Sequence, residues 1–240
     1  MVRNRIRLFL EHGLCDGNSV ILSKKEAHYI FNVMRLKVGD ELTVFNNFDG
    51  EWLSKIQERN RTSGVLFCVK KIKGRHIPAD IWLLFAPIKK SRTDFVVEKA
   101  TEMGVSKIFP VLTNHSNTNR VSKDRLQSHA IEAAEQCGTR YVPEVLELSM
   151  LEDVLNSWPR GRKILFCDES LNNFNEIKKD KSGDPWAILI GPEGGFSATE
   201  RKRLLSEKFV WPISLGPRIL RSDTAAVVAL TLWQSSIGDW

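Results

Sequence analysis

The sequence predicts an α/β protein, a C-terminal parallel sheet flanked by helices and preceded by a small β-rich barrel or sandwich. Before the stretch KKIKGRHIPAD, Lys70 to Asp80, short runs of strand character are punctuated by Gly-Asp, Asp-Gly and Ser-Gly turn signals. After it, apolar strand-like runs alternate with helical patterns, the signature of a parallel sheet with crossover helices. Boundary residues agree with both readings. Gly104 and Gly138 stand where helix C-termini need a left-handed residue, and Ser197 with Glu200 forms an S-x-x-E capping box.

Taken in order, RIRLFL, NSVIL, ELTVFN, EWLSKI and GVLFCVK are the expected strands of the first region. KKEAHYIFNVMRL interrupts them as an amphipathic helix, with Ala27, Ile30, Val33 and Met34 at helical spacing. In the second region IWLLFAP, KIFPVL, KILFC, AILIG and VWPISLG read as buried strands. RTDFVVEKATEMG, KDRLQSHAIEAAEQCG and ATERKRLLSE read as the helices between them. The closing TAAVVALTLW, from Thr224, is apolar on nearly every face and predicts a buried helix. The change of regime places the domain boundary between residues 73 and 74.

Composition narrows the function classes. With 42% hydrophobic and 27% charged residues among 240, the chain can bury a core and remain in water. A formal charge of +6, from 35 Lys and Arg against 29 Asp and Glu, is compatible with a nucleic-acid partner. Cys15, Cys68, Cys137 and Cys167 form no C-x-x-C pair, which argues against zinc or a redox couple and for a reduced, cytoplasmic setting. MVRNRIRLFL alternates Arg with apolar residues and is not a signal peptide. No window approaches the roughly 20 apolar residues of a membrane span. His28, His115 and His129 share no ligand spacing, so no metal is expected.

In an open parallel sheet, ligands bind beyond the carboxyl ends of the strands. Three loops lie at such ends, CDES after KILFC, GPEGG after AILIG and GPRILRSDTA after VWPISL. The last two share an apolar strand followed by Gly-Pro, which makes a sharp bend with exposed backbone groups. Side by side they could clamp a flat ring such as adenine. Neither the P-loop nor the G-x-G-x-x-G spacing is present. Glu193 would repel a phosphate but suit a cationic ligand, for example the sulfonium S-adenosylmethionine, or it is an exposed turn acid or a partner for an arginine such as Arg218 or Arg221.

Together KATEMGVSKIFPVLT, IEAAEQCG, ILIGPEGGFSATE and LGPRILRSDTAAVVAL resemble the RsmE-type methyltransferases of the SPOUT superfamily. The likeness extends to RLFL and to HYIFNVMRLKVGD near the N-terminus, and so spans nearly the whole chain. It implies a PUA-like RNA-binding β-barrel over residues 1–73 and a SPOUT domain with a trefoil knot over 74–240. It also implies a homodimer, S-adenosylmethionine as cofactor, and methylation of N3 of a uridine in the 16S rRNA of the small ribosomal subunit. Cofactor contacts carry over onto Phe166, Asp168 and Glu169, onto Ile190, Gly191, Glu193 and Gly194, and onto Leu215, Ile219, Leu220 and Ala225. Around NHSNTNRV and after EQCG this chain departs from distant members of the family.

Chemistry assigns the remaining roles. Loss of the N3 proton spreads negative charge over two uracil oxygens, and Arg221 is the expected cation beside them. Its alternative is an ion pair with Glu193, Asp223 or Glu98. Glu98, Asp94 or Glu193 would serve as general base. For RNA phosphates the candidates are Arg3, Arg5 and Arg7, alternating along one strand, and Lys89, Lys90 and Arg92. The Arg ladder could equally be a charged edge strand that resists pairing. Rival functions are a non-catalytic RNA-binding ribosome-assembly factor and a SPOUT methyltransferase acting on another RNA.

Overall fold

The computed structural model describes residues 6–171 and 183–240. They form two compact units, one made of Met1–Ile77 with Ala134–Val142, the other of Pro78–Ala133 with Pro143–Trp240.

The first unit is a five-stranded sheet in the order β1-β3-β4-β5-β2, comprising β1 (Arg7–Phe9), β2 (Ser19–Leu22), β3 (Glu41–Asn46), β4 (Gly50–Arg59) and β5 (Gly64–Lys73). β1 runs parallel to β3 and the other pairs are antiparallel. Register shifts along β4 and β5 bend the sheet around a core of Leu10, Ile30, Leu42, Ile56 and Leu66, all essentially inaccessible. The predicted amphipathic helix is present but short. Helix α1 (Lys24–His28) starts from a capping box between Ser23 and Glu26 and then widens into a π-turn over Tyr29–Val33. Arg35, at φ 57°, ends it in the left-handed region while Leu36 N–H returns to the Ile30 carbonyl.

The second unit carries a parallel sheet in the order β12-β10-β11-β6-β7-β8. Its strands are β6 (Ile81–Phe85), β7 (Lys107–Leu112), β8 (Glu144–Val145), β9 (Ser149–Met150), β10 (Lys163–Cys167), β11 (Trp186–Ile190) and β12 (Val210–Ile213). The helices are α2 (Lys90–Glu102), α3 (Lys123–Cys137), α4 (Leu151–Asn156), α5 (Ala198–Ser206) and α6 (Ser222–Ser236). Every residue of β11 is buried, as a central strand covered on both faces requires. Two prolines occupy positions where a missing N–H does little harm. Pro212 lies on the edge strand β12. Pro110 falls between the part of β7 that pairs with β8, through Lys107 and Ile108, and the part that pairs with β9, through Val111 and Leu112. The interruption of β7's outer ladder is thereby written into the sequence.

Gly104 and Gly138 take φ of 77° and 83°, the left-handed geometry expected of them. α6 is less enclosed than its composition suggests. Ala226, Ala229, Leu230 and Trp233 are buried, whereas Val227, Val228 and Leu232 remain partly exposed. Gln234, also buried, donates to the Met103 carbonyl (2.6 Å) and ties α6 to the end of α2. No helix among the described residues is long and apolar enough to cross a membrane.

Candidate functional site

A cavity of about 250 Å³ opens at the carboxyl ends of β10, β11 and β12, walled by the three loops that follow them and by the start of α6. Of the expected cofactor contacts, Asp168 and Glu169 line it from the first loop, and Ile190 and Gly191 from the second. Leu215, Ile219 and Leu220 line it from the third, and Ala225 from α6. Three others stand back. Phe166 is fully buried beneath the site, edge-on to the wall residue Phe196 with centroids 5.1 Å apart. Gly194 and Glu193 sit on the turn without lining the cavity.

The two acids of the first loop have different tasks. Asp168 is buried, accepting from Arg201 Nε (2.8 Å) and from both the backbone N–H and the hydroxyl of Ser170 (3.0 and 2.6 Å). Those bonds use its acceptor sites to brace the wall. Glu169 is exposed, and its Oε1 lies 2.3 Å from where a Cβ on Gly195 would stand, so the glycine is what lets this carboxylate lie against the turn. Gly195 also takes φ 65°, a left-handed conformation that other residues resist. At the end of β10, Cys167 also lines the cavity, and desolvation pushes its thiol well above the usual range.

The glycine turn is latched from several sides. Ser222 Oγ donates to the Gly191 carbonyl (2.8 Å), and His115 Nδ1 lies 2.8 Å from the Gly194 carbonyl. An accepting carbonyl puts the proton on Nδ1. The Ser197–Glu200 capping box is formed as expected, and Asn114 joins it through both its backbone N–H and its side chain (2.8 and 2.9 Å). Arg92 adds a longer link, with Nη1 at 2.9 Å from Glu193 and Nε at 3.7 Å from Asp223. One guanidinium thus joins the start of α2, the glycine turn and the start of α6.

Comparison with known proteins gives this arrangement its family. Residues 75–234 match the family described as RNA methyltransferase domain, and residues 22–66 match RNA methyltransferase PUA domain. The chain belongs to this RNA methyltransferase family. It is 31% identical to the ribosomal RNA small subunit methyltransferase E of Rickettsia conorii over 93% of each chain. It is 32% identical to the protein of that name in Buchnera aphidicola over 97% of each. Among solved structures it resembles the Neisseria gonorrhoeae enzyme of the same name bound to S-adenosyl methionine (TM-score 0.88, 25% identity, 98% of this chain and 99% of that one).

For this methyltransferase the structure redistributes the charged residues read from sequence. Arg221, capping the start of α6 with its backbone, is exposed and has no side-chain partner among the described residues. The carboxylates of its alternative ion-pair reading are engaged elsewhere, Glu193 and Asp223 by Arg92 and Glu98 by His129 Nδ1 (3.5 Å). Asp94 pairs with Arg125 and with His129 Nε2. Glu98 and Asp94 therefore belong to a charged cluster between α2 and α3, and neither lines the cavity.

Two expected phosphate contacts turn out to be braces. Arg7 donates to Glu51 (3.0 Å) and to the Ala134 and Thr139 carbonyls (both 2.7 Å), and its guanidinium lies over the Phe45 ring. Placing a cation on carbonyls at a helix C-terminus is favourable and leaves it few donors for RNA. Arg92 is committed to Glu193 and Asp223 in the same way. Lys89 and Lys90 remain exposed, and Arg3 and Arg5 lie outside the described residues. The latches that His115 and Asn114 make to the glycine turn were not legible in the sequence, because they join residues about eighty positions apart. No group of three metal-capable side chains occurs among the described residues.

Proposed function

We propose that this protein transfers a methyl group from S-adenosylmethionine to N3 of a uridine in the 16S rRNA of the small ribosomal subunit, acting as a homodimer in the cytoplasm. The observation that carries the reading is the three-loop cavity, with Glu169 in its lining and Arg221 next to the lining residues Leu220 and Ser222, neither with a side-chain partner among the described residues. The resident group fits that donor set. Apolar Ile190, Leu215 and Leu220 suit a flat ring, backbone groups of the two Gly-Pro bends suit its edge, and Glu169 suits ribose hydroxyls. Bound there, S-adenosylmethionine supplies an electrophilic methyl on a positively charged sulfur.

The chain's own residues do the rest by placement. The uridine must be unpaired before its N3 can approach, because that nitrogen is normally inside a base pair. Arg221 offsets the charge that develops on the uracil oxygens as the N3 proton leaves. Of the carboxylates considered as base, Glu193 is on the cavity's own turn, oriented by Arg92, and we assign it the proton; Glu98 keeps a supporting role in the α2–α3 cluster. The trefoil knot that the family resemblance implies belongs to the same reading; in the second unit the chain leaves the sheet at edge strand β12 and returns in α6 to pack on α2 and β11. A second copy would cover Val227, Val228 and Leu232 of α6. The curled first unit, with its match to a PUA domain, is the proposed RNA-binding barrel.

The test is to incubate the protein with S-adenosylmethionine and small subunits from a strain lacking the modification, then digest the RNA and identify nucleosides by mass spectrometry. 3-Methyluridine is expected. Methylation at another atom or in another RNA would replace the substrate part of this reading. Cofactor binding without any product would favour an assembly factor.

A further inference from the structure

A second cavity, about 260 Å³, lies within the second unit between the loop after β6, the first turn of α2 and the segment from Thr118 to Arg125. Its lining contains three cationic side chains, Lys90, Arg120 and Arg125, three hydroxyls, and no carboxylate. The hydroxyls are occupied by the walls. Thr93 exchanges hydrogen bonds with the N–H and carbonyl of Ile88 (3.1 and 3.0 Å), Thr118 donates to the same carbonyl (3.2 Å), and Ser122 accepts from the Arg125 N–H (3.3 Å). Arg125 is neutralised by Asp94.

Lys90 and Arg120 are left, both exposed and neither with a side-chain partner among the described residues. Two uncompensated cations on one concavity repel each other, and an anion between them relieves that repulsion. The local sequence deepens the imbalance, since α2 opens with Lys89, Lys90 and Arg92 and has no acid in its first turn. Neither cation carries the planar apolar surroundings that a base would stack on. The matching ligand is a compact anion of the phosphate class.

We propose that this cavity seats a backbone phosphate of the substrate RNA, held between Lys90 and Arg120. The inference rests on the RNA-methylating reading above and adds a contact to it, one that replaces Arg92 in the expected basic trio and brings in Arg120 from the NHSNTNRV segment.

The experiment compares the wild-type protein with Lys90→Gln, Arg120→Gln, the double variant and Arg120→Lys. Binding to small subunits is measured from about 50 to 200 mM salt, where each lost phosphate contact removes about 0.7–0.9 from the slope of log affinity on log salt. The double variant is expected to lose roughly one such unit of slope and about tenfold in affinity at low salt. Its affinity for S-adenosylmethionine should be unchanged and Arg120→Lys should recover part of the loss. An unchanged slope in a double variant that still binds cofactor overturns the proposal. Inorganic phosphate is titrated in parallel; if the variants lose phosphate binding while the RNA slope stays the same, the site serves a free anion and the RNA assignment falls. Because binding is read without turnover, a slope change in the absence of any methylated product would support this site while removing the proposed reaction.

Discussion

After β11 and again after β12 the chain makes the same move, an apolar strand running into Gly-Pro, yet the two loops are held by different means. The GPEGG turn has its Gly191 and Gly194 carbonyls engaged by Ser222 and His115, its acid by Arg92, and its exit fixed by a capping box. Among the described residues the GPRIL loop has two local bonds, both between Ser214 and Gly216, whose N–H donates to Ser214 Oγ (3.3 Å) and whose carbonyl accepts from it (3.4 Å), and beyond them Arg218 is exposed and Ile219 is 83% exposed. Similar sequence has produced one wall latched from several elements and one wall with only local bonds among the described residues. Preorganisation lowers the ordering cost of binding, so the first loop should govern affinity and the second should govern what happens after binding.

Four substitutions would break or sharpen that contrast. Arg221→Ala, at the end of the less latched loop, should lower kcat about 100-fold, roughly 3 kcal/mol of transition-state stabilisation, with cofactor affinity retained. Single-turnover kinetics at saturating RNA would decide it, and a native rate would remove Arg221 from the mechanism. Gly191→Ala brings a methyl to within 2.6 Å of the Phe196 ring, which is itself packed on Phe166. Overpacking of this kind costs about 1–3 kcal/mol, so titration calorimetry should show cofactor affinity falling about 10- to 100-fold. An alanine that binds normally would mean the first wall is not rigid.

Arg92→Ala releases Glu193 and Asp223 together. Because these pairs are partly exposed, the expected loss is about 1 kcal/mol, read as roughly a fivefold rise in cofactor Kd that shrinks at high salt. A fall in RNA affinity alone, with cofactor Kd unchanged, would return Arg92 to the phosphate contacts. Smallest of all, Ile219→Ala should leave the unfolding free energy within about 0.5 kcal/mol, since the side chain is mostly in water. Any weakening of cofactor binding in that variant would measure how far the second loop folds down on its ligand.

The same contrast marks what the sequence could express. Strands such as AILIG and KILFC, the caps at Gly104 and Ser197, and the loops at the carboxyl ends of the strands were legible because each depends on neighbours within a few residues. The six-residue α4 and the two-residue β8 and β9 were not, being too short to show a period. The end of KKEAHYIFNVMRL was read as regular helix, where the chain instead forms a π-turn closed by Arg35. Pairings over long separations were also hidden. Nothing near Arg92 announces Glu193, 101 residues on, and nothing near Arg7 announces the Ala134 carbonyl. The family likeness named residues on the three loops that wall the cavity without saying which face it and which, like Phe166, lie behind it.

The desolvated thiol of Cys167 bears on side reactions. A sulfonium methyl donor is an alkylating agent, and sulfur attacks carbon chiefly as the thiolate. A cysteine on the wall of a cavity proposed to hold such a donor is the obvious place for an enzyme to methylate itself. Desolvation at the end of β10 disfavours the thiolate there, and so disfavours the form of sulfur that such a donor would alkylate.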